Sequence, residues 1–198
     1  KALIQKGDYD KAFDIYHSSL HTQKKGRQNP NDLRGLAFSF AKAQSRDSIQ
    51  LATAFAQQAA DQWPQINALH RQIQARQKKV NALQPLQSKS GYKPRFSMFE
   101  AIDSLQKESR IQAASYLYAQ AQSLLAITAS SGQRLPAREA YFTLRDLKTN
   151  YFPYWENANA LIDSAHEAGK AHVMVERNTL QGVSDGSSFW KYMTVKPN

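Results

Sequence analysis

Cysteine is absent from all 198 residues of the sequence. Disulfide bonds, zinc sites with thiolate ligands and cysteine nucleophiles are therefore excluded for these residues. Long apolar stretches are absent as well, since no run reaches the roughly 18 apolar residues needed to span a bilayer. Hydrophobic residues make up 41% of the chain and charged residues 21%, which is the composition of a globular protein.

Motifs for metal, phosphate or hydrolytic chemistry are also missing. His17 and His21 have the spacing of two metal ligands on one helix face, but no third ligand is fixed near them, so we interpret them as solvated or packing histidines. The segment HEAGK begins like a metalloprotease helix, yet Lys170 stands where the second His is required. Its Gly-Lys pair follows a predicted helix and not the strand that precedes a phosphate loop. The sequence therefore predicts no catalytic residue, no metal site and no cofactor, and it indicates a protein that is not an enzyme.

The charge balance is strongly basic, with a net charge of +10. A charge of this size attracts acidic proteins, nucleic acids and anionic membrane surfaces alike. It indicates the sign of a partner's charge without choosing the partner's class.

The first segment of the chain predicts a tight helical hairpin. Gly7 can adopt the positive φ that ends a helix, and the side chain of Asp8 or Asp10 can cap the next helix. Asp10 is otherwise expected on the exposed side. Apolar residues then recur at helical spacing around Ala12, a small residue that allows two helices to approach closely. The signature residues of this turn and of the helix after it are Gly7, Asp8, Tyr9, Ala12 and Tyr16.

The run GDYDKA, from Gly7 to Ala12, resembles the turn between the two helices of a tetratricopeptide repeat. The resemblance implies a mainly α fold, an α-solenoid of helical hairpins whose groove binds a partner. The first helix of such a repeat is mostly missing before Lys1, so we expect a processed or truncated chain.

Two apolar stripes follow, at 33–41 and 49–63. They predict two helices that pair as a second hairpin, because each stripe has helical spacing and a polar start. Asn31 and Asp32 are the expected caps of the first helix, and the second is expected to start near Asp47.

A long third helix is predicted at 64–83, where apolar residues recur in steps of three and four and Arg76 interrupts the seam. The Ser, Gly, Lys and Pro residues beyond it predict an exposed loop at about 86–97.

The second half of the chain repeats the helical theme. Periodicity resumes at Phe99, and further helices are predicted at 135–153 and 154–169. Residues 170–198 are β-prone and predict a short C-terminal β segment, the start of a truncated β-rich region. We therefore divide the chain into a helical-repeat domain, 1–169, and this C-terminal region.

Basic residues interleaved with aromatic residues form the candidate binding set. Cations and ring faces together are what a site for single-stranded nucleic acid requires. No nucleic-acid-binding fold accompanies them, so we favour an ordinary solvated face or a contact with an acidic protein or peptide, and keep nucleic acid and then membrane phosphate as the alternatives. The candidate partner-binding residues are Arg71, Arg76, Lys78, Lys79, Tyr92, Lys93 and Arg95.

A second resemblance concerns the run from Ala137 to Glu176. Together with the opening segment, it is similar to uncharacterised repeat-containing envelope lipoproteins of the Bacteroidetes type. This implies a bacterial cell-envelope protein, periplasmic or held at the outer membrane by a lipid on a Cys upstream of this sequence, with a cytoplasmic protein as the alternative. We expect a non-catalytic scaffold or adaptor that binds protein or peptide partners, and a basic RNA- or DNA-binding helical-repeat protein is the alternative function.

Overall fold

A computed structural model describes residues 2–170, so the β segment predicted beyond Lys170 lies outside the described residues. Within 2–170 the chain is 75% helical and contains no strand, which confirms the prediction of a mainly α protein. A 3-10 turn, Ala60–Gln62, precedes α4, and a π-helical turn, Leu147–Tyr151, extends α6. The helices are α1 Ala2–Gln5, α2 Tyr9–His21, α3 Pro30–Ala56, α4 Trp63–Ala82, α5 Ile102–Ser131, α6 Arg134–Asp146 and α7 Ala158–Gly169.

The predicted second hairpin is wrong, because the stripe at 33–41 and the first half of the stripe at 49–63 belong to one continuous helix, α3, of 27 residues. No Gly or Pro separates the two apolar stripes, so nothing ends the helix between them. Asp47, the expected start of a second helix, lies inside α3 with 0% of its surface exposed. Its carboxylate accepts hydrogen bonds from Arg46 and Arg76 and does not cap a helix.

Helix starts also differ from the sequence prediction in their capping residues. The cap of α3 is Asn29, whose side chain accepts a hydrogen bond of 2.8 Å from the backbone N–H of Asn31. Pro30 is the first helical residue, where its fixed φ suits a helix and its missing N–H costs nothing. Gly7 has φ +79 between α1 and α2, as predicted, but Asp8 makes no side-chain cap to α2.

The helices pack in the order in which they occur along the chain. Starting from α2, each helix packs against the next one as far as α7. Their buried side chains form three clusters in succession: one between α2, α3 and the end of α4, one between α3, α4 and the start of α5, and one between α5, α6 and α7. Trp63 contacts both the second and the third cluster. The core is therefore a row of adjacent small cores.

The ring of Tyr16 on α2 lies directly on Gly35 of α3. A Cβ atom at position 35 would be 2.3 Å from Cζ of that ring, well inside contact distance. Ala12, one turn before Tyr16, is 3% exposed. Small residues on both helices thus permit the close pairing that the opening segment predicts.

Residues 83–101 connect α4 to α5 without helix, as predicted for the loop at 86–97. The segment is only half exposed, however. Leu86 is buried, and Tyr92, Phe96 and Met98 pack against the first core cluster. The polar composition of the segment did not indicate that these apolar side chains pack against the core.

Candidate binding surface

Arg76 of α4 lies inside the protein, with 4% of its surface exposed. Its Nη2 atom is 2.7 Å from Oδ1 of Asp10 on α2 and 2.8 Å from Oδ2 of Asp47 on α3. Arg76 is therefore an internal ion-pair residue and not the partner contact that the sequence indicated.

The ion pairs of Arg76 belong to a four-residue cluster with balanced charge. Arg46 adds two contacts through Nη2, at 2.7 Å from Oδ2 of Asp10 and 2.6 Å from Oδ1 of Asp47. Gln72 donates a further hydrogen bond of 2.9 Å to Asp10. Asp10 therefore links α2 to α3 and α4. The sequence placed Asp10 on the exposed side, and this expectation is wrong because its carboxylate is held in the cluster. Burial raises the pKa of Asp10, but the hydrogen bonds and charges of Arg46 and Arg76 outweigh it and hold the pKa below the ordinary 3.8.

The other basic candidates on α4 are spread over its surface. Lys79 pairs with Asp14, with Nζ and Oδ1 2.6 Å apart, and both side chains are about half exposed. Lys78 and Arg71 are exposed. Arg71 lies near Tyr151, where its positive charge partly offsets the rise in the tyrosine pKa caused by burial. Arg71 and Lys78 are seven residues apart, which places them two turns apart on the same side of α4, whereas Lys79 is engaged with Asp14.

Tyr92, Lys93 and Arg95 lie together on residues 92–98, here called the strip, which runs along α3. Arg34 of α3 lies over the ring of Tyr92 at 5.4 Å, and Gln44 of α3 donates a 2.8 Å hydrogen bond to the backbone oxygen of Ser97. From Arg34 to Gln44 the helix rises about 15 Å, and an extended chain covers about 16 Å from Tyr92 to Ser97. Because these two lengths agree, we infer that the strip is extended and runs parallel to α3.

Side chains on the strip alternate between the core and solvent. Tyr92, Phe96 and Met98 pack against the first core cluster, whereas Lys93 and Arg95 are exposed. This period of two is typical of an extended segment that lies with one face on a core. The basic side chains therefore form the outward face of the strip.

The strip starts next to two basic loops that are bonded to each other, one between α2 and α3 and one after α4. The loop between α2 and α3 is joined to the segment after α4 by a 3.0 Å hydrogen bond from the Gln28 N–H to the Gln87 oxygen, and Lys25 donates a 3.0 Å hydrogen bond to the Gln84 oxygen. No Asp or Glu occurs between Asp14 and Asp32, or between Asp61 and Glu100. The exposed cations of these loops, here called the basic loops, are Lys24, Lys25, Arg27 and Lys89.

The ring faces near these cations are partly occupied. Arg34 lies over Tyr92, and Phe96 meets Phe40 edge to face, with ring centroids 5.2 Å apart. Bases of a single strand need free ring faces on which to stack. The interleaved aromatics that favoured nucleic acid in the sequence therefore serve to anchor the strip.

A buried polar cluster between α4 and α5 has the residue types of a catalytic pair. Nδ1 of His70 is 3.0 Å from Oγ of Ser109, and the Asn67 amide donates a 3.0 Å hydrogen bond to the same oxygen. His70 and Ser109 are 3% and 1% exposed, so no substrate reaches them in this structure. Burial lowers the pKa of His70. We interpret the cluster as a structural bridge that keeps a neutral imidazole between two helices.

Two shallow hollows flank Tyr141 on α6. One, of about 400 Å³, is lined by Arg145, Lys148 and Pro153 among others, and one of about 270 Å³ is lined mainly by apolar atoms next to Phe142 and Lys170. The second hollow lies next to Lys170, the last residue that the structure describes. Nothing in residues 2–170 shows what covers it.

The histidines with metal-ligand spacing lie next to each other with their rings tilted by 39°. The rings of Phe13, His17 and His21 follow in a row along α2, with neighbouring centroids 6.1 and 6.2 Å apart. Burial and the charges of Lys79 and His21 lower the pKa of His17. No group of three His, Cys, Asp or Glu residues that could hold a metal ion occurs in the described part of the chain. None of its helices is long and apolar enough to cross a bilayer.

Comparison of the chain with protein-family models, with curated proteins and with solved structures gives no match. The resemblances to tetratricopeptide repeats and to envelope lipoproteins therefore stay predictions.

Proposed function

We propose that this chain is a non-catalytic scaffold or adaptor that presents a preformed surface to protein or peptide partners. The observation that supports it best is the row of helices in which each packs on its neighbours in sequence, from α2 to α7. Such rows rely on nearest-neighbour packing and offer an extended surface, which is how helical-repeat proteins bind partners without catalytic residues. The proposal includes a tetratricopeptide-like solenoid of helical hairpins.

Ordered exposed side chains support the same proposal. Several large apolar residues on different helices are at least half exposed, among them Ile49, Leu135 and Phe142. The basic loops and the strip add a charged surface fixed by backbone hydrogen bonds and aromatic packing. A surface with both apolar and charged side chains on one row of helices is suited to binding a partner of complementary charge.

A cell-envelope location is part of the proposal, with a lipid anchor on a Cys upstream of this sequence. It rests on the resemblance to envelope lipoproteins. Metabolic labelling with a radioactive fatty acid in the source cells, followed by fractionation, tests it. We expect label on the natural protein in the envelope fraction, and an unlabelled protein in the cytoplasmic fraction would contradict it.

The second candidate function is binding of RNA or DNA. The two acid-free sequence stretches with exposed cations favour it, because phosphates attract such surfaces. The cation of Arg34 over the ring of Tyr92, and the packing of Phe96 against Phe40, argue against stacking of bases on these rings.

Selection from a displayed library of random peptides separates the two functions. The purified full chain is the bait, and a labelled single-stranded oligonucleotide is titrated in parallel at about 0.15 M salt. We expect peptides that converge on a shared pattern and bind when resynthesised. No convergent family, together with sub-micromolar oligonucleotide binding that weakens steeply with salt, would favour the nucleic-acid function.

A further inference from the structure

We propose that the strip, residues 92–98, binds an acidic peptide in an extended conformation, with the basic loops extending the contact at one end. This inference rests on the proposed function and deepens it, because it names one docking edge and the chemistry of its partner.

The strip is a preformed template. Three separate anchors hold it along α3: the Arg34 cation over Tyr92, the edge-to-face contact of Phe40 with Phe96, and the hydrogen bond from Gln44 to Ser97. A segment held in this way loses little conformational freedom when a peptide binds.

Two residues of the strip have backbone groups without a hydrogen-bond partner in the described part of the chain. Within residues 2–170, the backbone groups of Lys93 and Arg95, which point to the same edge of an extended segment, take part in no hydrogen bond. An extended backbone with open N–H and C=O groups is the template to which an added strand pairs. Pro94, which lacks an N–H, faces the opposite edge, so pairing along the edge of Lys93 and Arg95 ends instead at Ser97, whose oxygen accepts the hydrogen bond from Gln44.

The charge of the outward face sets the sign of the partner. Lys93 and Arg95 are two residues apart, which places their side chains about 7 Å from each other on an extended chain. Acidic residues at alternate positions of a paired strand have the same repeat. Among neighbouring acids, Asp32 already accepts 2.8 Å hydrogen bonds from Ser19 and Gln23, and the exposed Glu100 lies beyond the strip. The cations of the strip have no ion-pair partner within residues 2–170.

A peptide fits these features better than a nucleic acid does. Open backbone donors and acceptors pair with another peptide backbone, whereas a single strand of nucleic acid gains most from free aromatic faces. The rings of Tyr92 and Phe96 face the core cluster and are engaged by Arg34 and Phe40.

The test measures binding of labelled peptides to the full chain by fluorescence anisotropy. The probe alternates Glu and Thr and is long enough to cover the strip. A second probe has the same sequence with N-methyl groups on alternate backbone nitrogens, which leaves its charge unchanged but removes hydrogen-bond donors. We expect the first probe to bind and the second to bind about tenfold more weakly or worse. Absence of binding by the first probe, or equal binding by both, would overturn the proposal.

A matched pair of variants locates the site. Lys93→Glu with Arg95→Glu reverses one Lys and one Arg on the strip, and Arg71→Glu with Lys78→Glu reverses the same residue types on exposed positions of α4. We expect the strip variant to weaken peptide binding about tenfold, and the α4 variant to change it by less than about threefold, since distant exposed charges are screened. Equal losses of peptide affinity in the two variants would show a general attraction to acidic chains and would overturn the proposal that the strip is the docking site.

Two other occupants would overturn the proposal as well. One is an oligonucleotide that displaces the peptide and binds more tightly at about 0.15 M salt. The other is the protein's own C-terminal region, which a crosslink from Lys93 to Lys191 or Lys196 in the monomer would reveal. If the acidic probe does not bind to the strip but library peptides bind at another site, the proposed scaffold function is retained and only the inference about the strip is wrong.

Discussion

Asp47 of α3 and Arg76 of α4 meet inside the protein, with Oδ2 and Nη2 2.8 Å apart and both side chains almost completely buried. A buried carboxylate without its cation is strongly disfavoured, and so is the cation without its carboxylate. The pair therefore fixes how α3 and α4 register against each other, and Asp10 brings α2 into the same contact.

Removal of one partner from this buried pair is predicted to destabilise the fold. Asp47→Ala leaves the buried Arg76 without one of its two carboxylates and should cost about 3–5 kcal/mol in urea unfolding. The matched control is Asp14→Ala, which removes a half-exposed pair with Lys79 and should cost less than about 1 kcal/mol. Equal unfolding midpoints for the two variants would contradict the assigned role of the cluster.

The close approach of α2 and α3 makes position 35 sensitive to a single methyl group. Ala normally stabilises a helix interior by up to about 1 kcal/mol relative to Gly. Gly35→Ala should instead cost about 1–3 kcal/mol, because its Cβ meets the ring of Tyr16. In a Tyr16→Ala background the same change should be neutral or stabilising. A stabilising Gly35→Ala in the wild-type chain would refute the contact.

Ala12→Leu is a second overpacking test of the same helix pair. Ala12 is nearly buried, so the larger side chain should cost about 1–3 kcal/mol in urea unfolding. Its control is Ile15→Leu on the same helix, where the exposed side chain has room and the change should be small. Unfolding of Ala12→Leu at the wild-type midpoint would indicate that the opening segment does not pack as described.

Stability should fall as the pH is lowered through the histidine range. The folded pKa of His70 and of His17 lies below the ordinary 6.5, so the unfolded chain takes up protons first. The stabilising effect of these neutral rings is complete above about pH 6.5 and is lost as the pH falls through their folded pKa values. Unfolding midpoints measured from about pH 7.5 to 5 should show a decrease that is smaller in His70→Gln. An equal decrease in that variant would assign the effect to other groups.

The basic loops give a prediction about nucleic acid. Reversal of Lys24, Arg27 and Lys89 to Glu changes only exposed side chains that make no hydrogen bond within residues 2–170, so the fold should be retained. Any oligonucleotide binding of the wild-type chain should be weak at about 0.15 M salt and should disappear in this variant. Tight oligonucleotide binding by the reversed variant would show that nucleic acid binds at another site. Reversal of Arg76 would not test this, because Arg76 is internal.

The sequence predicted the helices well where periodicity and helix-ending residues agreed. The third helix begins next to Pro64 and ends at Ala82, one residue before the predicted end, and α7 ends at Gly169 as expected. The prediction from the sequence was wrong where a polar residue had two possible roles. Asp47 has a side chain that caps helices, and only its contact with Arg76, 29 positions away, shows that it is an ion-pair partner instead. The signal was the Arg76 that interrupts an apolar seam, since a buried cation requires a carboxylate.

The candidate binding residues were predictable as a composition but not as a surface. Which lysines and arginines share a face depends on contacts between residues far apart in the chain. The bond from Lys25 to the Gln84 oxygen and the cation of Arg34 over Tyr92 are two such contacts. Sequence periodicity carries no information on either of them. It therefore grouped Arg76 with Lys93, although one is internal and the other lies on the strip.

Photo-crosslinking in the source cells tests the central claim, that this chain acts by binding protein partners, most directly. A photoreactive residue is placed at Lys93 on the strip, at Arg71 on α4 and at Phe142 on α6, all of which are exposed. We predict adducts with one or a few discrete proteins at one or more of these positions, and the strip proposal predicts Lys93 among them. Adducts with nucleic acid alone, or no adduct at any of the three positions, would contradict the account.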